Sequence, residues 1–177
     1  MNTIGNYAPD FEIPGIDKEV YHLGSYRRRF KAIAVIFMDK TEETSQYLER
    51  LKQIQSDFAE QKFTIMGIDS SYSQKPIAES IEAMEQYAQA QELNFPYLRD
   101  SNQDVAKGFK VKVTPTVYLL DSDGVICYQG LIDDGAKSAA EAKNHYLRDS
   151  VAAMLGGHMI ERDYIAPVGI DLTWRPK

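Results

Sequence analysis

A chain of 177 residues, 44% hydrophobic and 26% charged, is long enough to bury a core of its own and has the composition of an ordinary globular protein. Its formal net charge of −6 argues against a nucleic-acid surface, and no segment approaches the ~18 consecutive apolar residues that a membrane helix needs. One cysteine, Cys127, excludes an intramolecular disulfide, and three scattered histidines, His22, His145 and His158, provide no zinc-type spacing.

The opening "MNTIGNYAPDF" lacks a basic start followed by an apolar stretch, so a cytoplasmic protein without membrane insertion is expected. Residues 8–24, "APDFEIPGIDKEVYHLG", alternate loosely around Pro14-Gly15 and Asp17, which predicts two short strands and a turn. The basic cluster that follows, "YRRRFK" from Tyr26 to Lys31, has no repetition or interleaved aromatics. A solvated turn before a buried strand is preferred to a nucleic-acid patch.

"KAIAVIFMD" is a continuous β-type run, as in a strand covered on both faces. From Thr41 to about Glu60, Tyr47, Leu48, Leu51, Ile54 and Phe58 form one helical stripe. "FTIMGID" predicts a second buried strand, and the segment after Pro76 carries Ile77, Ile81, Met84, Tyr87 and Ala88 at helical period. The order β-α-β-α implies parallel strands with helical crossovers. "FPYLRDSNQDVAKGFKV" adds a short extended piece and a short helix that Ser101 or Asn102 can cap. "TPTVYLLDSDGVICYQG" predicts a hairpin around Asp121-Ser122-Asp123-Gly124, and a last helix from about Ala139 to Leu155 stops at Gly156-Gly157. With no repeat and no linker, residues 1–177 are expected to form one domain, with 156–177 as a C-terminal tail.

This arrangement is that of thioredoxin: an α/β fold with a central mixed sheet flanked by helices and an N-terminal β-hairpin extension. The wording of "APDFEIPGID", "FPYLRDSNQDVAKGFKVKVTPTVYLLDSDGVICYQGLIDD", "NHYLRDSVAAML" and the terminal "APVGIDLTW" resembles the peroxiredoxin-like AhpC/TSA, or redoxin-domain, branch of that superfamily. The resemblance implies a cis peptide bond before Pro115, facing a catalytic cysteine, and thiol peroxidase or oxidoreductase chemistry. Relatives of this branch typically have an Asn-His-Cys-Pro-type turn where this chain has Asp39-Lys40-Thr41-Glu42. Some have a cysteine before the Thr-Pro, here Val113, and another in the tail, here Ile170. All three positions lack sulfur.

The substitution changes the chemistry. A thiolate, with a pKa of ~8.5 when unperturbed, gains from the positive end of a helix. The hydroxyl of Thr41 stays protonated at neutral pH and forms neither a sulfenate nor a disulfide. Asp39 and Glu42 have capping-box spacing, and Asp39, Glu42 and Glu43 would raise the pKa of any thiol placed there. No histidine lies near in sequence to make these acids a hydrolytic site. Cys127, in "GVICYQG", has the setting of a small buried hydrophobe.

Two functions are therefore weighed. The preferred one is a redox-inactive protein-binding, subunit or assembly module without metal or cofactor. Its contact face would comprise Glu42, Glu43, the Thr114-Pro115 loop and Trp174, with Thr114 presenting free backbone to an extended peptide. The alternative is an AhpC/TSA-type antioxidant oxidoreductase working through Cys127. The tail residues Ile170, Leu172 and Trp174 alternate as a strand would, and packing on the chain's own domain is preferred to a partner surface. A protein partner is implied without its identity, and an oligomer is possible.

Overall fold

The computed structural model describes residues 2–177. Its centre is a five-stranded mixed sheet in the order β5-β4-β3-β7-β8. The two apolar runs become β3 (Ala32–Phe37) and β4 (Phe63–Asp69), parallel to one another and buried at every residue. The short strand β5 (Tyr97–Arg99) is parallel to β4. On the other side of β3, the hairpin β7 (Thr116–Asp121) and β8 (Ile126–Gly130) runs antiparallel. Gly124, at φ +84°, supplies the turn conformation that a side chain would resist.

Because successive side chains of a strand point to opposite faces, β3 serves two cores at once. Ala32, Ala34 and Ile36 join Leu48, Leu51 and Ile54 of α3 (Leu48–Phe58), Met84 and Ala88 of α4 (Ile81–Ala90), and Leu147 and Val151 of α6 (Tyr146–Leu155). Ile33, Val35 and Phe37 join Val105, Ala106 and Phe109 of α5 (Asp104–Phe109), together with Phe11 and Leu23. The N-terminal hairpin pairs β1 (Glu12–Pro14) with β2 (Val20–His22), as its alternation predicts. The basic cluster is a turn ahead of β3: α1 (Leu23–Tyr26) passes into a 3-10 turn at Arg27–Arg29, and Arg27 bonds the Ser122 carbonyl at 2.6 Å. The outer edges of the sheet each carry an isolated bridge, Gly15 against Leu98 and Tyr164 against Gln129.

Four helix boundaries differ from expectation, each because a side chain or a tight turn takes over the backbone. The segment 41–60 is broken into α2 (Glu42–Ser45) and α3, since the Tyr47 amide closes a tight bond to Thr44 O at 3.0 Å and sends its ring into the core. After Pro76 a 3-10 turn, Pro76–Glu79, leaves Ile77 outside the stripe and exposed, and Ser80 caps α4 by accepting from the Ala83 amide. Neither Ser101 nor Asn102 caps α5; the buried Asp100 carboxylate accepts from the Val105 and Ala106 amides at 3.2 and 2.9 Å. The last helix begins at Tyr146, not Ala139, because Asp134 holds the preceding loop through the amides of Lys143 and Asn144. Among the described residues no helix is long and apolar enough to cross a membrane.

Phe109 sits where these layers meet, its ring 5.3 Å from Phe37 and 5.0 Å from Tyr118. Phe109→Ala is expected to lower unfolding free energy by about 3–5 kcal/mol in urea titrations, since the rigid rings around it cannot collapse fully into the void.

Candidate functional site

The turn after β3 is organised by Asp39, which is 8% exposed. Its Oδ1 accepts from the Thr41 amide at 3.0 Å, from the Thr41 hydroxyl, and from Thr44 Oγ1 at 3.0 Å. Its Oδ2 accepts from Thr114 Oγ1 at 2.8 Å. The Asp39 amide donates in return to Thr44 Oγ1 at 3.4 Å. The reciprocal pair is thus Asp39 with Thr44 and not the expected box of Asp39 with Glu42. Glu42 and Glu43 are exposed in the first turn of α2, where they complement the helix dipole.

A second buried carboxylate lies at the end of the neighbouring strand. Asp69 accepts from Ser71, from Arg99 Nη1 at 3.1 Å, from Tyr97 OH at 3.1 Å and from Lys40 Nζ at 3.3 Å. Burial, then the adjacent Asp69 charge, pushes the Tyr97 phenol far above its ordinary pKa, so it remains a donor. Arg99 continues to Glu79 at 3.5 Å. Burial alone would raise the Glu79 carboxyl, but the Ser73 amide and Arg175 hold it below the usual range.

The Thr114–Pro115 peptide bond is cis. The backbone edge there is not open. Val113–Thr114 (β6) pairs antiparallel with Ile170–Asp171 (β9), with Thr114 opposite Ile170 and Val113 opposite Asp171. The structure therefore gathers the three positions that the resemblance assigns to sulfur: Thr41 meets Thr114 on one carboxylate, Val113 precedes Thr114, and Ile170 lies across the ladder from it. The tail packs on its own chain, with Leu172 in the core and Trp174 exposed at 41%.

Cys127 lies elsewhere, on the edge strand β8. Leu119 pairs with Tyr128 and Leu120 with Ile126, so Cys127 is the additional residue of a β-bulge. It is half-buried, not the fully buried residue expected, and its Sγ lies 3.4 Å from Val125 O and 3.8 Å from Asp121 Oδ2. Burial, then the Asp121 charge, pushes the thiol up to about 11. Among the described residues no cluster of His, Cys, Asp or Glu could hold a metal ion.

Residues that the sequence reading did not single out complete the site: Asp69, Arg99, Asp100, Gln103, Glu79 and Arg175. The available signal was positional, for Asp39, Asp69 and Arg99-Asp100 each follow or end a buried parallel strand at its carboxyl end, where α/β sheets place their sites.

Asp39→Ala strands the buried Thr44 and Thr114 hydroxyls and should cost about 1–3 kcal/mol in denaturant titrations, with Asp39→Asn less damaging because it keeps an acceptor. The Cys127 thiol should react with a maleimide in proportion to its thiolate: the rate, followed by mass spectrometry, should climb nearly tenfold per pH unit from 7 to 10, with no plateau near the ~8.5 of a free cysteine.

Comparison with known proteins agrees with this fold. The chain matches a hypothetical protein of Sinorhizobium meliloti with a TM-score of 0.91 and 26% identity, over 100% of this chain and 97% of that one. An uncharacterized conserved protein of Geobacillus kaustophilus matches with a TM-score of 0.91 and 25% identity, over 100% of this chain and 95% of that one. A peroxidoxin of Mycobacterium tuberculosis shares the fold, with a TM-score of 0.65 and 19% identity, over 89% and 98% of the two chains. No curated protein sequence matches. The AhpC/TSA family model matches residues 4–129, and with its thioredoxin-like fold and one cysteine, the chain belongs to the AhpC/TSA family without a catalytic cysteine pair.

Proposed function

We propose that the protein is a redox-inactive, cytoplasmic protein-binding, subunit or assembly module, formed as one domain over residues 1–177 with 156–177 as its tail. The observation that carries this reading is the conversion of the thiol position into a satisfied hydrogen-bond network, in which Asp39 engages Thr41, Thr44 and Thr114. A threonine hydroxyl is not a redox group, and the Asp39 carboxylate that accepts from Thr41 is shared with Thr44 and Thr114, so the network is satisfied as it stands and favours a fixed surface over a reacting one.

The contact face comprises the turn with Glu42 and Glu43 and Trp174, and lies over the Thr114-Pro115 loop, whose residues are buried and whose edge the chain's own tail covers. Glu42 and Glu43 project acidic charge from this face. Trp174, with Val168 and Ile170, leaves apolar surface exposed in the tail, and aromatic anchors of this kind concentrate interface energy. The partner is accordingly a protein with basic and apolar groups on its docking surface. The competing antioxidant reading through Cys127 is disfavoured by a thiol whose pKa stands near 11.

Affinity capture from native extract, followed by mass spectrometry, tests the proposal. A specific partner should be retained by the native chain and lost, or bound at least tenfold more weakly and with less salt sensitivity, when Glu42 and Glu43 are both changed to lysine. Retention unaffected by the charge reversal would remove the turn from the interface. Thr41→Cys should not recover peroxide turnover, since Glu42 and Glu43 oppose the anion and no resolving thiol is present; a thiol pKa well below ~8.5 in that variant would contradict this account.

A further inference from the structure

Resting on the binding reading above, we propose that residues 169–175 are an intramolecular strap occupying the strand edge at Val113–Thr114, and that an extended partner segment pairs there by displacing it. Strand addition needs unpaired backbone groups, and those beside Thr114 are taken by the chain's own Ile170 and Asp171. The pairing continues through the Leu172 amide, which donates to Lys112 O at 2.8 Å.

The strap is fastened by latches separate from the ladder. The Gln103 side chain reads two backbone groups of the tail: its Nε2 donates to Thr173 O at 2.9 Å and its Oε1 accepts from the Arg175 amide at 2.8 Å. Arg175 bonds Ser101 O at 2.6 Å and Glu79 at 2.5 Å, and its guanidinium lies 5.0 Å from the centre of the Tyr72 ring. Against these, the ladder is only two residues long, and Leu172 is the strap's deeply buried side chain; Ile170 and Trp174 remain exposed at 45% and 41%. A short ladder held by polar latches at one end is a fastening whose opening withdraws Leu172 alone from the core.

The strap also specifies what can replace it. A Cβ at Gly169 would collide with the Thr114 carbonyl oxygen, so the competing segment has glycine there. Three residues on, Leu172 enters the apolar cluster with Phe109 and Val111, and six residues on, Arg175 reaches Glu79. The partner segment is therefore extended, with a Gly-x-x-aliphatic-x-x-cation pattern.

The test uses the full chain and a fluorescein-labelled peptide with the sequence of residues 166–177, carrying Trp174→Phe. The protein's one tryptophan, Trp174, then reports the strap directly. Arg175→Ala releases a latch while leaving its receptor intact and should bind the peptide about tenfold more tightly than the native chain, because apparent affinity scales with the fraction of open edge; Glu79→Gln removes the same contact from strap and peptide alike and should leave the affinity nearly unchanged. Saturating peptide should shift Trp174 emission, and a peptide with Gly169→Val should not bind. Equal binding by the native chain and Arg175→Ala, or binding by neither, overturns the strap. Extract capture on the native chain and Arg175→Ala separates the two readings. Peptide exchange with no retained partner leaves the strap standing and sinks the partner; a partner held equally by both proteins, without peptide exchange, does the reverse.

Discussion

A carboxylate carried into a protein interior has to be surrounded by donors, and at Asp39 this requirement organises one end of the molecule. The charge sits immediately beyond a strand buried at every residue, so the chain that follows must turn and offer it hydrogen bonds. Thr41 and Thr44 offer them from the turn, and Thr114 from seventy-five residues on. In doing so Thr41 gives up its hydroxyl, Tyr47 is swung into the core, and the loop holding Thr114 is pinned against the start of α2. The tail strand then builds on that pinned loop. The surface that would have served sulfur chemistry is thus shaped by an oxygen anion that needs to be kept quiet.

The neighbouring charges repeat the pattern. Asp69 ends β4 and collects Lys40, Tyr97, Arg99 and Ser71, while Asp100 follows β5 and holds the start of α5. Each anion is paired where the parallel strands open toward solvent, the region that in α/β proteins commonly receives ligands. Here it is filled largely by the protein's own groups. Lys40 joins the first carboxylate's turn to the second carboxylate, and Arg99 joins the second to Glu79 and so to the tail, giving a continuous polar layer between turn, loop and C-terminus.

The sheet was legible in the sequence because its strands are uniform apolar runs and its hairpin has an acid-rich Gly turn. The parallel order followed from alternation of strands with helical stripes. The helix ends were less legible, since Asp100, Asp134 and the Tyr47 turn act on backbone that propensity alone would assign to a longer or differently capped helix. The turn "DKTE" was visible as a place without sulfur, and its acids as caps. Thr44 and Thr114 as the groups that complete it were not, because one is a mid-helix residue by pattern and the other is remote in sequence. Arg175 and Gln103 escaped for the same reason: their meaning lies in a long-range contact, and neither falls in a local motif. The strand character of Ile170 and Leu172 could be read from alternation, but the edge on which it would lie could not.

The isolated bridges at Gly15 and Tyr164 bear on how copies of this chain meet one another. An uncovered β edge is a template for another strand, and proteins that leave one long and flat tend to polymerise. In this molecule Gly15 lies against Leu98 at one side of the central sheet and Tyr164 against Gln129 at the other, where the Gln129 amide and carbonyl are spent on Asp163 and Ile165. The bulge at Cys127 further bends the outer strand away from a flat register. Lateral growth of the main sheet is obstructed on both flanks, so the large buried strands that make the core stable do not also make the protein prone to stack into fibrils.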